Sequence, residues 1–371
     1  MKKCSKKQIL LACIIGTIIL SVALFSTISW LQGNQNNIKK QTQNAVNEGP
    51  EIPKTSTWWL VEAEISIDGD AEGVGAHNWT WVEEQVWFSE GVGNSTDPYV
   101  LENIEISVDT SNAGLTIQNS EVYFVLDNLT ITNLGGDGLE LTNVSNAYVS
   151  SSNFNNNGNS GMYLSNVNSS EFIFSYFLNN TVDGIYATDS NLNDFAVDCS
   201  GNGRYGMILA SSDNNTLILS QFIDNVEIGL VILEVEDHGD SVDNLMIVNT
   251  FENNGINAVD NCTLPNSWDN GEFGNIWDDY AGVDANDDTI GDTPYDIDGT
   301  AGAQDNYPYC DDGDEPILVS NGDDGDRDLW QETSIFTIIT FAVIFVGVFC
   351  AGFILSKLIT ISPKKTKAKR K

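Results

Sequence analysis

The chain has 371 residues, 41% of them hydrophobic, and a formal net charge of −37. The charge is segregated: Glu48 to Glu332 contains all 53 acidic residues against Lys54, Arg204 and Arg327, a net of −50, and the other 13 Lys and Arg occupy the two ends. A field of that sign repels nucleic-acid phosphates and anionic headgroups, which excludes a nucleic-acid partner, while solubility, divalent cations and salt adaptation are each compatible with it.

Met1 to Lys7 is basic, and Ile9 to Trp30 is almost wholly apolar and near bilayer-spanning length. Residues 1–31 therefore read as a signal peptide or a signal-anchor helix, with cleavage left open. Residues 32–57 are polar, rich in Asn and Gln, and contain Pro50 and Pro53, so they form a linker that cannot bury a core.

Residues 58–262 predict a parallel β-helix with an N-terminal cap. Trp58, Trp59, Trp79, Trp81, Trp87 and Phe88 crowd its start; such a cluster either covers an open sheet edge or offers a sugar platform, and the cap is the commoner use. Asp97 to Ile106 reads as an extra, imperfect coil. A tandem repeat follows, opened by Gly114, Gly138, Gly161, Gly184, Gly206 and Gly229 at spacings of 24, 23, 23, 22 and 23 residues. One and three residues after each Gly stand Leu115/Ile117, Leu139/Leu141, Met162/Leu164, Ile185/Ala187, Met207/Leu209 and Leu230/Ile232. Gly255 with Ile256/Ala258 reads as the start of a seventh unit. Alternation of apolar and polar residues is strand periodicity, no ten-residue helical pattern interrupts it, and Gly, Asn, Ser and Asp fill the turns. Periods of this length make stacked coils of about three short strands each.

Two further columns support the stacking. Ile131, Phe154, Phe177, Cys199, Phe222 and Phe251 form a second apolar row, in which Cys199 is a small core residue and not a nucleophile. Asn119, Asn143 and Asn166 form one amide column, and Asn156/Asn157, Asn179/Asn180, Asn225 and Asn253/Asn254 another. Stacked amides can bond from rung to rung. Seven or eight coils at about 4.8 Å make a rod roughly 35–40 Å long whose two ends need covering.

Residues 263–309 supply a Trp- and Asp-rich C-terminal cap: Asn266-Ser-Trp-Asp-Asn-Gly271, Gly274-Asn-Ile-Trp-Asp-Asp-Tyr280, Gly282 to Tyr295, and Asp305-Asn-Tyr-Pro308. With the repeats, this block resembles the right-handed β-helix proteins of the NosD-like, CASH-domain kind within the pectin-lyase-like fold, over roughly Asp97 to Pro308. The chain departs from that pattern at Ile276, usually Tyr, and Thr289, usually Gly. The resemblance implies an archaeal or bacterial cell-surface protein. Residues 310–332 form an acidic stalk. Residues 333–361 contain the apolar run Ile335 to Leu355 and read as a transmembrane helix. The basic tail, residues 362–371, stays in the cytoplasm by the positive-inside rule, which leaves the bulk of the chain extracellular. The expected fold is thus all-β, a right-handed single-stranded parallel β-helix with capped ends, plus N- and C-terminal transmembrane helices.

Candidate chemistry is sparse. Asp284, Asn286, Asp288, the carbonyl of Ile290, and Asp292 have the spacing of a calcium loop, although position six is Thr289 where such loops carry Gly. Arg204 has Asp183, Asp189, Asp194 and Asp198 within about one coil, a conceivable polysaccharide-cleaving group, though polar turn residues explain those acids more simply. NosD-like proteins are often named as copper-binding, but copper wants clustered His, Met or Cys; His77 and His238 are isolated and Met162 and Met207 take core positions, so no copper is expected. Cys262 and Cys310 bracket the cap, and a disulfide between them would contribute about 4 kcal/mol in the loop-entropy picture. Sequons for glycosylation occur at Asn78, Asn94, Asn128, Asn143, Asn168, Asn179, Asn214 and Asn261, at a frequency that this composition gives by chance. The functional expectation is a membrane-anchored, non-catalytic binder of carbohydrate or cell-envelope components. The alternatives are a polysaccharide lyase or hydrolase and a purely structural envelope component.

Overall fold

The structure, a computed structural model, describes residues 58–310 except Asp109, Asp237 and Asp287. The N-terminal hydrophobic segment and linker, the expected stalk after Cys310, the C-terminal apolar run expected to cross a membrane and the basic tail lie outside the described residues. Among the described residues no helix is long and apolar enough to cross a membrane.

The repeat folds as its alternation dictates. In Leu115–Ser120, Leu139–Ser145, Met162–Asn168, Ile185–Thr188, Tyr205–Ala210 and Ile228–Leu233 the residues one and three after Gly point inward and are buried. These strands stack in register as a parallel sheet of eight, with Ile65–Asp68 at one end and Ile256–Asn261 at the other. Each coil then turns through two more short strands. One row runs through Tyr99–Glu102, Phe124–Asp127, Ala147–Ser150 and Glu171–Tyr176; the next runs through Ile104–Ile106, Thr130–Thr132 and Asn153–Asn155. Glu171–Tyr176 and Asp194–Asp198 pass through the bend between the rows and join them into one sheet.

The second apolar row is the expected one. Phe154 stacks on Phe177 at 5.2 Å and Phe222 on Phe251 at 5.1 Å, and Cys199 is wholly buried in the same row. Offset stacks of this kind add roughly 0.5–1.5 kcal/mol each beyond burial.

The bends use left-handed residues. One is Asn119, Asn143 and Asn166, at φ of 50 to 55°, where the side-chain amides bond in series: Asn143 donates to Asn119 (2.9 Å) and Asn166 to Asn143 (3.0 Å). Another holds Asn128, Ser151, Phe174 and Leu219; Phe174 is 66% exposed at φ 51°, a costly place for a bulky side chain. The coil after Phe174 omits that residue: Ile173 pairs with Ala196 and Ser175 with Val197. This omission is why the spacing from Gly184 to Gly206 falls to 22.

The second amide column lies inside the rod. The Asn180 amide and Nδ2 donate to Asn202 Oδ1, those of Asn202 to Asn225, and those of Asn225 to Asn254, at 2.9–3.2 Å. Asn202 belongs to this column although the sequence reading passed over it. The opening glycines make room for it: a Cβ on Gly206 would sit 2.8 Å from Asn225 Nδ2 and 2.4 Å from the Gly229 carbonyl oxygen. A second inner ladder runs through Asn193, Asn215, Asn244 and Asn266, and a third through Ser220, Asn249 and Asn275.

Each inner ladder hands its N–H groups toward the C-terminal end, so the last rung needs acceptors. Aspartates supply them. Asp260 accepts from the Asn266 amide, Asp305 from the Asn275 amide and from Trp277 Nε1, and Asn254 bonds through Asn257 to Asp278 and Asp279. Asp260 and Asp305 are fully buried. Burial holds the Asp305 carboxyl above its ordinary range, against the opposing pull of its donors. Trp277 continues the aromatic row between Phe251 (4.3 Å) and Tyr295 (4.1 Å), which closes this end of the rod.

The last unit is shifted from the expected phase. Ala258, not Ile256, pairs with Leu230, and Asn257 stands where the earlier coils have Gly. Ile256 is therefore 41% exposed, and the inward position that is apolar in the other coils is Asp260, the ladder's acceptor. At the other end the rod begins one rung earlier than expected: Trp59–Val61 pairs with Ile104–Ile106 and Ile65–Asp68 with Leu115–Gln118. The helix Trp79–Glu83, N-capped by Asn78, covers that end; Trp79 stacks on Tyr99 at 4.9 Å and donates to Ser120. Trp79 and Trp87 are buried cap residues, whereas Trp58 and Trp59 are exposed.

Candidate functional site

Between the two inward residues of each Gly-opened strand, one residue must point out. Register stacks these into a single column on the outer face of the eight-stranded sheet: Ser66, Thr116, Glu140, Tyr163, Tyr186, Ile208, Val231 and Val259. With rungs about 4.8 Å apart, Ser66 to Tyr186 covers roughly 19 Å. Tyr163 and Tyr186 stack with ring centroids 5.6 Å apart and planes within 20°, and both stay partly exposed. Further along, Ile208, Val231 and Val259 form a buried apolar cluster with Tyr186 and Tyr205 against it.

Beside the first half of the column lies a groove of about 680 Å³ lined by Glu64, Ser66, Asn112, Thr116, Asp137 and Glu140. Asp137 accepts from the Ser160 amide (2.8 Å) and Asn159 Nδ2 (3.0 Å). Burial nonetheless raises its carboxyl above the ordinary range, and the Asp183 charge adds to this. Glu140 is raised as well, by burial first and by Asp137 second. Neighbouring carboxyls that resist ionisation can donate as well as accept hydrogen bonds.

Of the four acids grouped with Arg204 by sequence, the structure brings one to it. Arg204 forms a bidentate pair with the buried Asp183, Nε to Oδ1 at 2.9 Å and Nη2 to Oδ2 at 2.5 Å, and lies over the Tyr205 ring at 4.7 Å. Asp189 instead meets His238 Nδ1 at 3.0 Å. Asp194 and Asp198 belong to strand Asp194–Asp198 on another face, where Asp194 pairs with Glu171 and Thr216. The expected constellation is thus split, because residues ten apart in a 22-residue coil fall on different faces.

In the expected calcium loop, Asp284 is buried and accepts the amides of Asp288 (3.2 Å) and Thr289 (2.5 Å), while Asp292 accepts that of Ala285. Thr289 takes the left-handed conformation, φ 67°, that calcium loops give to Gly. Among the described residues no three His, Cys, Asp or Glu side chains gather closely enough to hold a metal. His77 stacks on Trp81 at 4.1 Å.

The Cys262–Cys310 bridge is not formed. Cys262 is a free, buried thiol, raised far above its usual range by burial and by Asp260. Cys310 Sγ is directed to the Gly282 carbonyl at 3.9 Å. The phase shift of the last coil turns Cys262 toward Asp260 and Asp240, on the rod rather than on the cap loop. Among the sequon asparagines, Asn94, Asn143, Asn179, Asn214 and Asn261 are exposed, while Asn78, Asn128 and Asn168 are partly buried. Asn78 spends its side chain on the helix cap and Asn128 its own on Asn103.

Sequence reasoning missed Glu64, Asp137, Glu140 and the tyrosine pair. A signal was there: the residue two after Gly is Tyr in two consecutive units.

Residues 106–271 match the family described as right handed beta helix region. The rod is thus a right-handed β-helix. No curated protein sequence matches the chain. Among solved structures, a mutant of the periplasmic alginate epimerase AlgG is 15% identical over 43% of this chain and 38% of its own, with a TM-score of 0.35. The enzymatically active domain of bacteriophage CBA120 tailspike protein 2 is 14% identical over 43% of this chain and 24% of its own, TM-score 0.35. The A-module of Azotobacter vinelandii mannuronan C-5 epimerase AlgE4 is 12% identical over 48% and 58%, TM-score 0.33. The chain therefore covers less than two thirds of the length of each of these proteins.

Proposed function

We propose that this protein is an extracellular, membrane-tethered β-helix of the NosD-like kind that binds carbohydrate on the outer face of its eight-stranded sheet. The observation that carries the reading is the stacked pair Tyr163 and Tyr186, continuous through Glu140 with a polar groove. Tyrosine rings offer flat apolar area and a polar tip at low entropic cost, and carboxylates accept from hydroxyls, which together suit a sugar. The terminal hydrophobic segments and the basic tail support the tethered placement. Calcium belongs to the same proposal as a stabiliser of the C-terminal cap: binding would have to draw Asp284, Asn286, Asp288, Asp292 and the Ile290 carbonyl closer together than they stand in this loop.

Retention of the full-length chain on immobilised polysaccharides tests this. Tyr163→Ala and Tyr186→Ala should each weaken retention several-fold; unchanged retention in both would remove this face from the proposal. A second reading, hydrolysis in the same groove, is favoured by the neighbouring half-buried Asp137 and Glu140, since a general acid needs a raised carboxyl. Release of new reducing ends, lost in Glu140→Gln, would establish it.

A further inference from the structure

We propose that the ligand of this face is an uncharged glycan, an inference that rests on the carbohydrate-binding reading. Arg204 is the only Lys or Arg between residues 58 and 310. Its guanidinium is engaged bidentately by Asp183. His238 is held by Asp189, and His77, beside the N-terminal strand, is stacked on Trp81. The charged groups nearest the tyrosine pair are Glu140, one rung from Tyr163, and Asp183, Asp189 and Arg204 around Tyr186, while Glu64 and Asp137 line the groove further along; the acids outnumber the bases, and Arg204 and His238 are already matched.

A glycan carboxylate or sulfate laid along the column would meet Glu140 one rung from Tyr163 with no cation to receive it. Like-charge juxtaposition of that kind excludes wrong partners strongly. A neutral chain meets no such penalty. Its hydroxyls can donate to the carboxylates, and its C–H faces can lie on Tyr163 and Tyr186. The long-range field acts in the same direction, since the segment's net charge slows the approach of any polyanion.

The test is affinity electrophoresis of the full-length chain through gels containing neutral mannan or β-glucan, or acidic alginate or polygalacturonate, each with EDTA and with Ca²⁺. The inference expects retardation by a neutral polymer, reduced several-fold in Tyr163→Ala, and retardation by the acidic polymers weaker by more than about tenfold. Glu140→Lys should then gain affinity for the acidic polymers while the wild type does not. Retardation by acidic polymers alone, or equally by both classes, or by acidic polymers once Ca²⁺ is added, overturns the uncharged-ligand inference and leaves carbohydrate binding standing. Retardation by none overturns both.

Discussion

Replacing Asn202 by Ala cuts an inner ladder at its middle. Asn202 Oδ1 accepts the amide and the Nδ2 of Asn180, at 3.0 and 3.2 Å, and its Nδ2 donates to the Phe177 carbonyl and to Asn225 Oδ1, both at 3.0 Å. Asn202 and Asn180 are both buried, so no water replaces the lost acceptor. Asn225 keeps the Asn202 backbone amide as a donor, so the loss falls on the two Asn180 donors and on the Phe177 carbonyl, which loses the Nδ2 donor. At about 1–3 kcal/mol for each buried donor left unpaired, Asn202→Ala should cost roughly 4 kcal/mol. The matched control is Asn143→Gly. That removes links of the same chemistry, to Asn119 and Asn166, but at an exposed left-handed residue where water substitutes and Gly fits, so about 1 kcal/mol or less is expected. Urea unfolding of the full-length variants measures both. Equal losses would show that burial does not set the strength of these ladders.

Acidification should at first stabilise the β-helix. Asp137, Glu140, Glu171, Asp194, Asp198 and Asp305 are all raised in the folded state, chiefly by burial, so the folded chain binds their protons more tightly. Stability should therefore rise as pH falls through their folded values and be fully gained below the ordinary values of 3.8 for Asp and 4.5 for Glu. Asp68, lowered by the amides of Asn119 and Gln118, opposes this. A melting temperature that falls steadily from pH 7 to pH 5 would contradict the sign. Calcium should raise the melting temperature of the full-length chain over an EDTA-treated sample, and Asp284→Ala should abolish the difference; superimposable wild-type curves would remove the ion. Thiol labelling should leave Cys199 and Cys262 unmodified in the native chain and label both after unfolding without reductant. A Cys262 that labels only after reduction would restore the bridge.

What was legible in the sequence is what repeats inside. The apolar residues after each Gly and the Phe row face the same environment in every coil, so their chemistry recurs at a fixed spacing. Asn202 escaped because its coil is one residue short, which moves it out of step with Asn180 and Asn225. The rung at Ile65 escaped because 50 residues and a helix separate it from Leu115, with no opening Gly to mark it. The final coil misled because Gly255 imitates the opening signal two residues early, while Asn257, the true counterpart of Gly229, carries a side chain that bonds into the ladder. The candidate site escaped because outward positions have no common demand: Thr116, Glu140, Tyr163, Tyr186 and Ile208 share a column, and only the two tyrosines repeat.

That contrast explains where specific chemistry can reside in this fold. Inside the rod each side chain must meet the one above and below it, so a change in one coil has to be matched in two others. Even a missing residue is tolerated only at a bend, where Phe174 stood in solvent and the following coil does without it. The outward column has no such constraint from packing until Ile208, where the face becomes apolar and buried. Between the N-terminal cap and that apolar patch, Ser66 to Tyr163 is the stretch of this column free both of the core's demand for matched shapes and of the apolar cluster, and Tyr186 joins the two. The groove, the raised carboxyls of Asp137 and Glu140 and the tyrosine stack lie on this outward face, where packing inside the rod does not dictate them.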